Sequence, residues 1–211
     1  MRMRRKKNRD SRLDACREYR IDLPEENRFG GKHPLDLEIG CGKGNFACEM
    51  ANKNPDRYFI AVELSTDAII TALEKAKSEN IPNLLFINAN AEQMPDYFEN
   101  NSVDTIYLNF SDPWPKAKHG KRRLTYRKFL KIYADILTEQ GKLCFKTDND
   151  ALFDFTIAEL NECGWRIENL TYDLHNSDFA ADNVMTEYEK NFSEKGFTIK
   201  RLEAYPPSIR L

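Results

Sequence analysis

Residues 35–46 read LDLEIGCGKGNF, and this stretch decides the fold. Its first five residues alternate apolar and polar side chains, which predicts a short β-strand that ends at Gly40. Gly40, Gly42 and Gly44 then form a GxGxG loop, and the apolar spacing from residue 45 onward predicts a helix. Glycines between a strand and a helix allow a tight turn and let a ligand approach the backbone closely. The stretch therefore predicts a ligand-binding loop in an α/β domain.

Apolar strands alternate with amphipathic helices on the C-terminal side of this loop. Such alternation predicts a doubly wound α/β fold, in which a mostly parallel sheet carries helices on both faces. Residues 165–174 and 197–205 predict a final antiparallel pair, which makes the expected sheet seven-stranded. Gly141 is the expected end of the helix before the fifth strand. The first five predicted strands are 35–39, 58–64, 84–88, 103–109 and 142–147.

Polar residues follow each of the predicted parallel strands. Because ligands of such folds bind at the carboxyl ends of the strands, these residues are expected to share one edge of the sheet. The residues placed on that edge are Glu38 to Gly44, Glu63, Asn88 to Asn90, Asn109 to Pro115, Thr147 and Asp148. So many polar side chains at one edge predict a single shared site.

The charge of the chain is concentrated in two basic segments. The formal net charge of the 211 residues is −2, yet residues 1–20 hold nine basic and three acidic side chains. Residues 116–131 hold eight basic side chains and no acid. An acidic body with two basic segments favours an oriented polyanion as partner. A solvated helix face together with a disordered tail is the alternative interpretation.

The sequence also argues against several classes of protein. No apolar run is long enough to cross a membrane, and the N-terminus lacks the apolar core of a secretory signal. The five cysteines include no CxxC pair, so neither a disulfide framework nor a metal site is expected, and the predicted location is the reducing cytoplasm. Residues 1–34 are interpreted as a flexible or late-ordering basic arm and linker, and residues 35–211 as the folded domain.

An acid stands at the end of the second predicted strand. Glu63 lies 19 residues after Gly44, where a carboxylate can accept both hydroxyls of an adenosine ribose. A dinucleotide-binding dehydrogenase would favour GxGxxG over the GxGxG found here. The combination resembles the S-adenosylmethionine pocket of Rossmann-like methyltransferases. That resemblance implies that Glu63 holds the ribose, that Glu38 faces the methionine ammonium, and that Asn90 lies by the adenine. A surface-facing strand residue is the alternative for Glu38.

A second stretch, residues 108–123, reads LNFSDPWPKAKHGKRR. Asp112-Pro113-Trp114-Pro115 follows a strand; the prolines fix the backbone, and Trp114 offers a ring face to a base withdrawn from its stack. Enzymes that methylate amino groups of nucleic acids carry a similar turn. Packing of Trp114 beneath the loop is an equally open alternative. The side chains suited to phosphate or ribose contacts are Lys116, Lys118, His119, Lys121, Arg122 and Arg123.

Three motifs, in order, resemble the tRNA (guanine-N7)-methyltransferase family. DPWPK followed by KHGKRR is similar to its PWPKxRHxKRR signature, EIGCGKGNF at 38–46 to its cofactor motif, and TEYEKNF at 186–192 to its TxYExxF element. The resemblance spans residues 36–192. It implies cofactor binding by Glu38, Gly40, Gly42, Gly44, Glu63, Asn90 and Asp112, and guanosine binding by Lys116, Asp148, Thr186, Glu187, Tyr188 and Glu189. It implies RNA contacts by Lys118, His119, Gly120, Lys121, Arg122 and Arg123.

The reaction that this resemblance implies is methyl transfer from S-adenosylmethionine to guanine N7 at position 46 of tRNA, in the variable loop. N7 carries an in-plane lone pair and no proton, so direct SN2 attack needs alignment but no general base. Asp112 is the candidate catalytic residue, because a carboxylate there would orient guanine and favour the cationic product. Two other hypotheses remain, a DNA or RNA amino-methyltransferase and a non-catalytic RNA-binding protein. The expected partner is tRNA rather than DNA or a membrane, and both a monomer and a homodimer fit.

Overall fold

A single seven-stranded sheet forms the centre of the protein. The computed structural model describes residues 7–23 and 34–207. The strands are β1 (Leu35–Ile39), β2 (Tyr58–Val62), β3 (Leu84–Ile87), β4 (Val103–Asn109), β5 (Leu137–Thr147), β6 (Arg166–Thr171) and β7 (Lys200–Tyr205). Their order across the sheet is β3-β2-β1-β4-β5-β7-β6. The first five strands pair in parallel, and β7 runs antiparallel to both β5 and β6.

Helices cover both faces of this sheet. The described residues form α1 (Arg9–Asp14), α2 (Asn45–Lys53), α3 (Thr66–Ser78), α4 (Met94–Tyr97), α5 (Arg127–Ile136), α6 (Asp150–Glu162) and α7 (Glu187–Ser193). Neighbouring strand residues point to opposite faces, and β2 shows the result. Its Phe59 and Ala61 pack with α2 and α3 in one apolar cluster, whereas Ile60 and Val62 pack with α5 and α6 in another. The predicted doubly wound, mostly parallel fold with an antiparallel C-terminal pair is confirmed.

Gly44 allows α2 and α3 to approach each other closely. It adopts a left-handed φ of 76° at the N-terminus of α2. A Cβ atom at this position would lie 2.6 Å from the Cβ of Ala72 in α3. Only glycine satisfies both the backbone conformation and the space. The last glycine of the GxGxG loop therefore sets the packing beneath the site.

The predicted role of Gly141 as a helix end is wrong. Helix α5 ends at Ile136, and β5 begins at the next residue. β5 pairs with β4 through Leu137 opposite Val103 and Lys142 opposite Thr105, so the extra residues of β5 bulge out of the register. Within that bulge, a Cβ on Gly141 would come within 3.0 Å of the Thr138 amide nitrogen. Gly141 therefore allows the bulge in β5, and the spacing of apolar residues gives no sign of such a bulge.

Residues 7–23 pack against the domain instead of forming a flexible arm. Arg9 pairs with Asp67 of α3, and Arg12 forms two hydrogen bonds of 2.6 Å with Glu74. The Ile21 amide donates to the Phe86 carbonyl at the edge of β3, and the Ile21 side chain is buried. Residues 1–6 and 24–33 lie outside the described residues, and the division of the chain at residues 34 and 35 remains a prediction.

The C-terminal third contains a helix that the sequence left unassigned. Helix α7 begins after Thr186, whose hydroxyl accepts from the Glu189 amide in a capping box. β6 and β7 are shorter than the predicted strands at 165–174 and 197–205.

No helix within 7–23 or 34–207 is long and apolar enough to cross a membrane. These residues also contain no cluster of acids, histidines and cysteines suited to a metal ion.

Candidate cofactor and nucleic-acid site

A cavity of about 330 Å³ opens where β1 and β4 end side by side. The glycine loop forms one wall, and the residues at the start of α7 form another. The lining residues are Glu38, Gly40, Cys41, Gly42, Lys43, Asn45, Phe46, Asn109, Phe110, Thr186, Glu187, Tyr188 and Asn191. The parallel register of the strands thus gathers several predicted site residues at one edge, as ligand sites of this fold require.

Glu38 lies at the floor of this cavity and is buried. One carboxylate oxygen accepts a hydrogen bond of 2.9 Å from the Asn109 side chain of β4. The other oxygen, Oε2, is buried and accepts no hydrogen bond of ordinary geometry from the described residues, although the Ala47 amide at the start of α2 also favours the charged carboxylate. Burial raises the pKa of the Glu38 carboxyl to about 7, although Asn109 and the Lys146 ammonium both favour its charged form. A buried acid with a spare acceptor is suited to a cationic ligand, so the surface-facing alternative for Glu38 is excluded.

Glu63 connects the end of β2 to the glycine loop. Its carboxylate accepts from the Gly42 amide at 2.9 Å and from the Ser65 amide at 2.7 Å. These two bonds fix the carboxylate beside the loop, and each oxygen retains a lone pair for a ligand hydroxyl. Asn90 lies at the end of the neighbouring strand β3, where its side chain caps the next turn by accepting from the Glu92 amide. Neither Glu63 nor Asn90 lines the cavity itself. Glu38 at the cavity and Glu63 on the other side of Gly42 together fit a ligand that carries a cationic group and a diol.

The Asp112-Pro113-Trp114-Pro115 turn continues from Phe110, a residue of the cavity wall. Phe110 and Trp114 both adopt left-handed φ angles, 52° and 41°, so this backbone departs from common geometry. Trp114 is half-buried, with the His119 ring edge-on at 5.7 Å and the Arg122 guanidinium 4.9 Å from its ring centre. Asp112 is exposed. The turn therefore presents a carboxylate next to the cavity while the Trp ring packs against its own loop.

Arg123 stabilises this turn and does not point freely toward solvent. Its guanidinium donates to the Pro113 carbonyl at 2.9 Å and to the Trp114 carbonyl at 3.2 Å. It also lies over the Phe155 ring of α6, 4.2 Å from the ring centre. Two donor nitrogens and one face of the planar guanidinium are thus engaged within the protein. Arg123 thus supports the turn, and the RNA contact assigned to it from the sequence stays a prediction.

The predicted basic segment divides into two parts. Arg127 pairs with Glu159 and Glu162, and Lys128 pairs with Glu92, so these charges are neutralised within the protein. The cations that precede them are exposed and form no ion pair with an acid of the described residues. They are Lys116, Lys118, Lys121 and Arg122. Exposed positive charge thus lies directly after the Asp112 turn, as a track for a polyanion would, and Lys131 of α5 is a further exposed cation of this segment.

The wall that begins with Thr186 is tied to the glycine loop and to β5. Glu187 accepts from Asn45 at 2.9 Å and pairs with Lys43 at 3.2 Å. Tyr188 stacks on Phe192 with ring centres 4.0 Å apart. Its hydroxyl lies 3.4 Å from the Asp148 carboxylate at the end of β5. Three predicted substrate residues, Thr186, Glu187 and Tyr188, therefore line the cavity, and Asp148 lies beside them.

Glu189 was also predicted to bind substrate, but its side chain is fully buried below the wall. Its carboxylate contacts Lys146 and His175 at 2.8 Å and accepts from Asn183 at 2.6 Å. Burial alone would raise the pKa of Glu189, but these partners, led by Lys146, hold it below the ordinary value. The carboxylate is thus used internally and supports the wall from beneath.

The sequence placed Lys43, Asn109 and Phe110 at this edge of the sheet without giving them a role. The structure shows all three in the cavity wall, where Asn109 binds Glu38. Asn45 and Asn191 also line the cavity and were not assigned to the site from the sequence. Asn191 belongs to α7, a helix that no local pattern indicated.

Comparison with known proteins places the chain in a family. The family model "Putative methyltransferase" matches residues 32–202. A protein of Bacillus cytotoxicus named tRNA (guanine-N(7)-)-methyltransferase is 45% identical over 97% of this chain and 96% of its own. A Streptococcus uberis protein of the same name is 43% identical over 97% of this chain and 100% of its own.

Solved structures resemble the fold at low sequence identity. The 16S rRNA methyltransferase KamB superposes with a TM-score of 0.62 at 17% identity, and 94% of each chain is covered. Phosphoethanolamine N-methyltransferase 2 of Haemonchus contortus, solved with S-adenosyl-L-methionine, gives a TM-score of 0.52 at 15% identity over 94% of this chain and 52% of its own. These neighbours support the fold, and the closer sequence relatives define the group. The chain belongs to the tRNA (guanine-N7-)-methyltransferase family.

Proposed function

We propose that this chain transfers the methyl group of S-adenosylmethionine to N7 of a guanine in tRNA, at position 46 of the variable loop. The observation that carries the proposal is the shared edge of the sheet. The cavity with Glu38 opens beside the Asp112 turn, and the open cations from Lys116 to Arg122 continue from that turn. The relatives that carry this activity in their names support the same conclusion.

The residues of the cavity, together with Glu63 and Asn90 at the neighbouring strand ends, fit S-adenosylmethionine. The spare buried oxygen of Glu38 would accept from the methionine ammonium, and the lone pairs of Glu63 would accept from the ribose hydroxyls. The backbone of residues 40–43 lines the cavity and gives the ligand close access, and Asn90 would lie by the adenine. When bound, the cofactor supplies an electrophilic methyl group on a sulfonium.

The chain itself has to orient guanine. Guanine N7 has a lone pair and carries no proton, so its methylation needs no general base, and alignment is the main catalytic demand. Asp112 would accept hydrogen bonds from the donor edge of guanine, and its negative charge would favour the cationic purine that forms. Lys116, Asp148 and Tyr188 would hold the guanosine against the Thr186 wall. The cations from Lys118 to Arg122 would bind the flanking phosphates.

The decisive experiment is methylation of an unmodified tRNA transcript with labelled S-adenosylmethionine, followed by identification of the modified nucleoside and its position. We expect 7-methylguanosine in the variable loop, and no label in a transcript made with 7-deazaguanosine, which lacks N7. Label on an exocyclic amino group would instead support an amino-methyltransferase, the alternative that the Asp-Pro-Trp-Pro turn favours. Binding of tRNA without any label would support the non-catalytic alternative.

A further inference from the structure

Lys146 is a lysine of β5 that lies beneath the cavity and is largely buried. It stands opposite Asn109 in the register of β4 and β5, and its carbonyl accepts from the Phe110 amide at 2.9 Å. Its ammonium lies 5.4 Å from the centre of the Phe46 ring. Asn109, Phe110 and Phe46 all line the cavity. Lys146 therefore contacts three residues of the wall formed by β4 and α2.

The same ammonium reaches the opposite wall. It donates to Glu189 at 2.8 Å, to the side-chain oxygen of Asn183 at 2.9 Å and to the Val184 carbonyl at 2.9 Å. An ammonium has three donors, so each of them has a partner. Glu189 also closes the capping box with Thr186, the first residue of the cavity wall at α7. A shift of Lys146 would therefore shift Thr186 and the residues that follow it.

The burial of this ion pair favours a positional role. The side chains of Lys146 and Glu189 are 9% and 0% exposed. Two buried charges stabilise a fold no better than a well-packed apolar pair, but their directional bonds fix the relative position of two segments. The two segments joined here are the two walls between which guanine would lie. Burial of the Lys146–Glu189 pair costs desolvation free energy. The fixed position of the two walls explains why the pair is nevertheless buried here.

We propose that Lys146 is a positioning residue for methyl transfer, which holds the Thr186 wall in register with Asn109 and Phe110 through its bond to Glu189. This inference rests on the proposed function and deepens it, because it names a residue outside the cavity that sets the width of the guanine site. The role belongs to the ammonium and its three bonds, not to the volume of the side chain.

Lys146→Met tests the role, and Lys142→Met is the matched control. Lys142 lies four residues earlier in β5 and likewise binds a buried glutamate, Glu203, at 2.9 Å. It does not line the cavity. Both variants should lower the melting temperature. At a temperature where both are folded, Lys146→Met should lower kcat/KM for tRNA at least tenfold, mostly through kcat, while Lys142→Met stays within twofold of the wild type.

Hydrogen–deuterium exchange gives a second measurement that does not depend on activity. Lys146→Met should increase deuterium uptake by the amides of residues 186–192, and Lys142→Met should not. Equal kcat/KM in the two variants, or equal uptake at 186–192, would overturn the proposal. A wild type that leaves tRNA unmethylated would refute the proposed function, and the exchange comparison would still decide whether Lys146 fixes the wall.

A milder variant covers the case in which Lys146→Met does not fold. Asn183→Ala removes one partner of Lys146 and one of Glu189 but keeps the ion pair. We expect it to lower kcat about threefold and to raise uptake at 186–192, with the fold intact. Wild-type kcat and wild-type uptake in Asn183→Ala would contradict the proposed network.

Discussion

At Glu38, the protonation state that favours folding differs from the one that favours binding of a cationic ligand. Burial raises the pKa of its carboxyl from the ordinary 4.5 to about 7. Between these values the folded chain binds a proton that the unfolded chain has lost, so the contribution of this group to stability is present at low pH and is lost as the pH rises to about 7. A cationic ligand needs the ionised form. Cofactor binding should therefore release a proton when the pH is below about 7.

Glu38→Gln should separate these two effects. The neutral amide avoids burying a charge, and the pKa shift corresponds to a free energy on the order of 3 kcal/mol. We expect a higher melting temperature than the wild type at pH 8, little change at pH 5, and at least a tenfold loss of S-adenosylmethionine affinity at pH 8. Thermal unfolding at both pH values and calorimetry measure these outcomes. Glu139→Gln, at an exposed position, is the control, and unchanged cofactor affinity in Glu38→Gln would contradict the assignment.

Asp112 should act on the chemical step more than on tRNA binding. Its carboxylate is exposed beside the cavity, and removal of a charge that stabilises a transition state commonly lowers kcat about 10²- to 10³-fold. We expect Asp112→Ala to lower kcat for tRNA by about 10²-fold with a much smaller change in KM. Single-turnover methylation measures the effect, with Asp96→Ala at another exposed position as the control. Near-normal turnover of Asp112→Ala would remove its catalytic role.

The sequence predicted the position of residues that lie at the end of a strand, and it did not predict contacts with partners distant in the chain. Glu38, the three loop glycines and Glu63 lie together because parallel strands end at one edge, which the apolar pattern already indicated. By residue type alone, Glu189 and Arg123 cannot be distinguished from residues that contact a ligand. Their internal partners, Lys146 and Phe155, come from other elements. No local motif distinguishes a buried glutamate that supports a wall from one that lines it.

In the basic segment that begins at Lys116, tertiary contacts decide which cations remain exposed. The sequence presents a uniform run of cations, but packing assigns Arg123 to the Asp112 turn and pairs Arg127 and Lys128 with acids. The cations that remain exposed without an ion pair are Lys116, Lys118, Lys121 and Arg122, which precede these residues, and Lys131, which follows them. An ion pair already formed within the protein weakens attraction to phosphates, so the first part of the segment should dominate RNA binding.

A triple variant of Lys118, Lys121 and Arg122 to glutamine tests that distribution. Each lost phosphate contact reduces the slope of log affinity against log salt by about 0.7 to 0.9. We expect a raised KM for tRNA and a slope reduced by about 2, while kcat at saturating tRNA stays close to the wild type. Titration of tRNA binding at several salt concentrations measures the slope.

The matched control for this triple variant replaces Lys53, Lys77 and Lys128 with glutamine and changes the net charge equally. These lysines pair with Glu49, Glu18 and Glu92, so their loss should change the salt dependence little. Equal slopes in the two triple variants would show that only net charge matters.

Helices and strands with a strong apolar periodicity were predictable from the sequence. Those whose presence or bounds depend on tertiary contacts were missed or misplaced. The helix before β5 was predicted from its apolar stripe, but its end was placed at Gly141 because glycine commonly stops helices. The register of β5 with β4 decided otherwise. Helix α7 has seven residues and depends on its capping box and on Glu189. Its amphipathic pattern is too short to stand out alone.

At the scale of the whole molecule, residues 7–23 dock onto the sheet and its helices. The run of basic residues suggested a solvated arm, but two of its cations, Arg9 and Arg12, bind acids of α3. The chain then adds a backbone bond at the edge of β3 through Ile21. This arrangement covers a sheet edge that would otherwise be open to association with other chains. Docking onto α3 therefore accounts for part of the basic composition of this segment.

Ile21→Ala should show whether this docking contributes to the stability of the whole domain. The Ile21 side chain is 2% exposed, whereas Leu23 two residues later is 52% exposed. Truncation of a buried isoleucine costs about 2 to 5 kcal/mol of unfolding free energy, and truncation of an exposed side chain costs within about 0.5 kcal/mol. Urea unfolding should therefore give a single transition with a lower midpoint for Ile21→Ala and an almost unchanged midpoint for Leu23→Ala. Equal midpoints would mean that the N-terminal segment leaves the domain before the rest unfolds, because a segment that is already detached cannot transmit the loss of packing to the sheet.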